Sequence, residues 1–130
     1  MLSTINPWAV LAAAFVHMAT GLIWFNSNLF GRQWSELTKQ ELKPAREWLL
    51  VGLIGHVLIA SVLALVVRLA HATTMLDGII VGMLMWAGFV VTLEIGELIW
   101  EKIPFRLFAI RIGNHLVALS LAGAVLSVWP

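Results

Sequence analysis

The chain has 130 residues, 61% of them hydrophobic and only 12% charged, with a mean hydropathy of +0.94, whereas a soluble domain carries about 25% charged residues. Its net charge of +1 leaves no clustered cationic face, which excludes a nucleic-acid binder. It has no cysteine, so disulfides, thiolate metal sites, attached c-type haem and cysteine nucleophiles are excluded too.

A helix needs about 20 mostly apolar residues to cross roughly 30 Å of hydrocarbon. Four stretches meet that requirement, at about 7–25, 47–69, 75–100 and 107–129. The expected fold is therefore an all-α, single-domain integral membrane bundle of four transmembrane helices. No Lys or Arg precedes the first stretch and no small-residue cleavage site follows it, so it reads as an uncleaved span rather than a signal peptide.

Between spans one and two, Phe30, Trp34 and Leu37 recur at helical spacing with Arg32, Gln33 and Glu36 among them. This pattern predicts a short interfacial segment. Thr38 and Glu41 have the spacing of a capping box, and Pro44 suits the first turn of span two. The short connections at 70–74 and 101–106 make successive spans antiparallel. Gly78 and Gly82 form a GxxxG step that either packs span three inside the bundle or joins two copies in a homodimer, the former being preferred. Gly52 and Gly55 in span two, and Ala9 and Ala13 in span one, are further small residues for helix contact.

All but one of the eight Lys and Arg (Arg32, Lys39, Lys43, Arg46, Lys102, Arg106 and Arg111) lie on or near one side, and only Arg68 lies toward the other. In a bacterial inner membrane, the expected location, the positive-inside rule then places both connections in the cytoplasm and both termini outside. Trp24, Trp34, Trp48 and Trp100 would sit at the cytoplasmic interface, and Trp8 and Trp129 at the outer one. Gly21-Leu22-Ile23-Trp24-Phe25 and Gly96-Glu97-Leu98-Ile99-Trp100 are alike, and each is followed by a helix bearing a histidine, His56 or His115. This suggests a parallel repeat of two hairpins.

Gly21-Leu22-Ile23-Trp24-Phe25-Asn26-Ser27-Asn28-Leu29-Phe30-Gly31-Arg32-Gln33-Trp34 resembles the G-x-x-W-Y-x-x-x-L-F-G-x-x-W signature of the DUF1761 family of small bacterial membrane proteins, with Phe25 in place of the usual Tyr. Trp86-Ala87-Gly88-Phe89 and Asn114-His115-Leu116-Val117 are similar to its later W-x-G-F and G-Y-H-L-V stretches, Asn114 replacing an aromatic. The resemblance covers essentially the whole chain and implies a small membrane protein. The family's function is not established, so it implies no activity and no catalytic residue.

Ionisable groups inside a span are costly and are functional candidates by default. Glu94, His56, His115, His17 and Asn114 are the ligand-binding or proton-linked candidates. If the last hairpin folds near Ile103 to Phe105, Glu97 faces Arg111 as a structural ion pair, and Glu94 faces Asn114 and His115. One reading makes these contacts a packing ladder between helices. The other closes them with His17 and His56 into a polar pocket open to the cytoplasm, for a small lipophilic or cationic ligand or for protons. His17, His56, His115 and Glu94 are also metal-ligand types, but no paired spacing supports a metal site. His71 is expected to be solvated and Asp77 to complement a helix N-terminus. No cofactor fingerprint, phosphate-cradling loop or nucleophile with a base appears, so no cofactor is expected. Binding or transport ranks first, a structural or accessory subunit second, and an intramembrane acid/base enzyme third. Beyond the lipid bilayer itself, the partners considered are a second copy and a lipophilic or cationic ligand.

Overall fold

The computed structural model describes residues 4–43 and 45–130, and all of its regular structure is helical. The elements run α1 (Pro7–Trp24), α2 (Gly31–Thr38), a 3₁₀ turn (Arg46–Trp48), α3 (Leu49–Leu69), α4 (Met75–Met85), a π-helical segment (Trp86–Val91), α5 (Thr92–Trp100) and α6 (Phe105–Val128). Four helical stretches are long and apolar enough to cross a membrane: Pro7–Trp24, Arg46–Leu69, Met75–Trp100 and Phe105–Val128. They coincide with the four expected spans to within two residues at each end.

Local chemistry sets the helix ends. Asn6 caps α1 by accepting a hydrogen bond from the Trp8 N–H at 3.0 Å, and Pro7 opens the first turn, where its missing N–H costs nothing. Thr74 and Asp77 form a reciprocal capping box at the start of α4: the Thr74 hydroxyl accepts from the Asp77 N–H at 3.1 Å and Asp77 Oδ2 accepts from the Thr74 N–H at 3.0 Å. Asp77 thus does more than complement the helix dipole. The expected box at Thr38 and Glu41 does not form. Thr38 is the last residue of α2, its hydroxyl donates back to the Trp34 carbonyl, and Lys39 ends the helix with φ 57°. Pro44 lies outside the described residues.

The fourth span organises the bundle. α6 packs against α1, α3 and α4, whereas α3 and α4 barely touch. Accordingly 44% of the most apolar stretch of the fourth span is buried, against 17% in the third. Small residues explain the closeness. A Cβ at Gly78 would collide with the Gly123 carbonyl, and one at Gly82 with the Leu119 carbonyl, so α4 and α6 meet backbone to backbone. The GxxxG step is therefore used inside the bundle. Ala9 and Ala13 of α1 and Ala60 and Ala64 of α3 are buried in the same way. Gly52 and Gly55 behave differently, since among the described residues nothing comes within 4 Å of a Cβ at either position.

Candidate functional site

The intramembrane polar residues gather where α1, α3, the π segment, α5 and α6 approach one another. His17 of α1 is 4% exposed, and its Nδ1 lies 2.8 Å from Nδ1 of His56 on α3. One of the two imidazoles must supply the proton of this hydrogen bond, so the pair fixes complementary tautomers. The His115 ring of α6 is centred 6.4 Å from that of His17. Asn114 is 8% exposed, and its Oδ1 faces Gly21 of α1, where a Cβ would sit 4.0 Å away. His17 Nε2, Asn114 Oδ1 and Glu94 Oε2 are buried and have no hydrogen-bond partner among the described residues.

Arg111 pairs with Glu94, at 3.7 Å, not with Glu97 as the sequence suggested. Glu97 lies beside Glu101, one turn along α5, within electrostatic reach of Arg111 but not in an ion pair with it. The cause is the turn. α5 ends at Trp100 and α6 begins at Phe105, which centres the hairpin on Lys102 and Ile103, earlier than the expected fold near Ile103 to Phe105. Each residue of α6 consequently faces a deeper residue of the preceding helix. Glu94 remains within electrostatic reach of His115.

Two indoles hold α6 in place. Trp24 Nε1–H donates to the Ile110 carbonyl at 3.0 Å, and Trp86 Nε1–H to the Ile112 carbonyl at 2.7 Å. Trp24 also stacks on Phe30 with centroids 4.6 Å apart and lies against Gly113. A side chain at Gly31 would strike the Phe25 and Asn26 backbone, so this glycine lets α2 fold back over the end of α1. Trp24 is therefore a packing residue. Trp100, its counterpart in the suggested repeat, is 84% exposed. The two hairpins do not use their aromatic residues equivalently.

A crevice of about 320 Å³ opens on the flank of the bundle between α3 and α4, reaching down to α6 and α1. Leu58, Ile59 and Val62 of α3 form one wall and Met85, Phe89 and Val90 the other, with His17, His115 and Leu119 beneath. The exposed positions of Leu58, Val62 and Phe89 put its mouth on the apolar flank rather than at the end of the bundle. The crevice does not gather all the candidates. His17 and His115 line the crevice, while His56, Asn114 and Glu94 do not. Among the described residues no group of three or more His, Asp or Glu is placed to hold a metal ion.

Sequence reasoning missed the π segment and the role of Trp86. The available signal was a tryptophan in mid-span, far from either end where such residues gather. A buried indole N–H demands an acceptor, and here a main-chain carbonyl supplies it.

The chain belongs to the family described as a protein of unknown function, DUF1761, whose model matches residues 8–127. No curated protein and no solved structure matches it. The three stretches that carry the family resemblance meet in space. Gly21 and Trp24 of the first and Trp86 of the second all contact the α6 turn from Ile110 to Asn114, where the third begins.

Proposed function

We propose that this is a small inner-membrane protein that takes a lipophilic molecule from the bilayer into the crevice between α3 and α4. The observation that carries this reading is the crevice itself: apolar walls, two imidazoles at its base, a volume of about 320 Å³ and a lateral mouth. A concave apolar site with few polar groups suits small-molecule binding, and a lateral mouth lets the ligand enter without crossing water. A cationic ligand is disfavoured because no carboxylate lines the walls. Proton transport and acid/base catalysis are disfavoured because Glu94 lies off the crevice and is paired with Arg111. In this reading both termini face outside, following the charge bias.

The test is displacement of a hydrophobic fluorescent probe from the purified protein in neutral detergent. Val62→Trp, which fills the mouth, should weaken probe binding at least tenfold without lowering the melting temperature. Unchanged binding in this variant would overturn the proposal. The second reading is a structural or accessory subunit, favoured by the Trp24, Trp86 and Arg111 contacts that brace α6. It requires the wild-type protein to bind no probe in the crevice, and His17→Leu to affect stability alone.

A further inference from the structure

We infer that the opposite end of the bundle holds an anion site in which Arg68 and His71 bind a phosphate group. Here the C-terminal ends of α3 and α6 border an open cleft of about 640 Å³. Val67, Leu126 and Val128 supply apolar surface, and its polar lining includes Arg68, His71 and Thr73 beside Thr4, Ser127 and Pro130. This end is separate from the lateral crevice, so the site stands or falls independently of the proposed ligand there.

Charge accounting singles out Arg68. It is the one Lys or Arg at this end of the four helices, and it is exposed. Among the described residues no carboxylate comes within ion-pair distance of it. Asp77, in the first turn of α4, does not line the cleft, and its Oδ2 is already taken by the Thr73 and Thr74 N–H groups at 3.3 and 3.0 Å. The turn after α3 then brings His71 round beside it: the His71 N–H donates to the Arg68 carbonyl, the Ala72 N–H donates to the Val67 carbonyl, and His71 takes φ 53°. An arginine near a helix C-terminus also complements the helix dipole, but that role needs neither a cleft nor a second donor.

The donor set selects the ligand. A guanidinium presents two parallel N–H groups that match two oxygens of a phosphate, and an imidazole N–H and the Thr73 hydroxyl add further donors. The apolar surfaces beside them suit the glycerol and first acyl carbons of a phospholipid. A free phosphate would engage the polar groups alone. Both sources share the same recognition chemistry at Arg68.

The experiment uses the full chain in neutral maltoside micelles. Retention of added phosphatidylglycerol is followed by native mass spectrometry, and binding of inorganic phosphate by ³¹P line broadening. Wild type and Arg32→Gln, a control at the other end, should retain the lipid equally. Arg68→Gln should lower retention at least tenfold and His71→Asn about threefold. If Arg68→Gln also abolishes phosphate broadening, a free anion suffices; if only lipid retention falls, the headgroup is the source. Equal retention by wild type and Arg68→Gln overturns the site, as does absence of binding by wild type. A lowered melting temperature in Arg68→Gln with retention intact also overturns it, leaving Arg68 as a dipole partner only. Should Arg68→Gln fail to fold, Arg68→Lys keeps the charge but loses the fork and should bind several-fold more weakly. Unchanged retention in that variant overturns the site equally.

Discussion

The third and fourth spans meet in two different ways along their length. Near the chain ends, Gly78 and Gly82 lay the backbone of α4 directly on Gly123 and Leu119 of α6. Beyond Met85 the helix widens into the π segment, and side chains rather than backbone face the neighbouring helices: Trp86 reaches across to the Ile112 carbonyl, and Phe89 and Val90 wall the crevice. Gly88 and Gly96, unlike Gly78 and Gly82, would meet nothing within 4 Å if given a Cβ. A glycine tightens a membrane interface only where a backbone waits opposite it. The polar cluster and the cavity both occur where that close contact has been given up, beside the π segment.

The largest expected effect comes from breaking the tight end. Gly82→Leu forces a side chain into the Leu119 main chain and should destabilise the protein by at least about 3 kcal/mol, whereas Gly88→Leu should cost less than about 0.5 kcal/mol. Thermal melts of the two variants in one detergent check this, and equal losses would erase the contrast between the two ends.

A smaller effect is expected at the looser end. Arg111→Met leaves Glu94 without its cation and should cost about 1–2 kcal/mol, less than for a fully buried pair because both side chains are only partly enclosed by protein. Adding Glu94→Leu should recover most of that loss, and adding Glu97→Gln should not. A double-mutant cycle that couples Arg111 to Glu97 instead would contradict the observed pairing. Smaller again, Trp24→Phe and Trp86→Phe should each lose about 1 kcal/mol with their indole hydrogen bonds. Trp100→Phe, at an exposed position, should be neutral within experimental error.

Spans and cation distribution were legible because membrane insertion acts on local composition: a long apolar run or a lysine says the same thing wherever it lies. The histidines and Asn114 were legible as candidates for a related reason, since polar groups stand out against so apolar a sequence. Which of them meet was less legible. The pairing of Arg111 turned on where a short hairpin is centred, and a shift of a residue or two exchanged Glu97 for Glu94. The π segment left no periodic signature, because Trp86 to Val91 reads as ordinary apolar helix. The likeness of Gly21–Phe25 to Gly96–Trp100 misled for the same reason. Similar apolar strings met different neighbours, so Trp24 became a clamp on α6 while Trp100 stayed outside.

The central position of α6 has a consequence for biosynthesis. Of the four spans it is the last to be synthesised, yet α1, α3 and α4 all pack against it, while α3 and α4 scarcely touch. Until residues beyond Phe105 have emerged, the Trp24 and Trp86 indoles lack their carbonyl acceptors and the Gly78 and Gly82 face has no partner. Apart from the contacts with α6, the spans are joined chiefly by α1 against α3. A chain truncated before Phe105 would therefore lack the acceptors of both indoles and the partner of the Gly78 and Gly82 face, and is expected not to form a stable bundle.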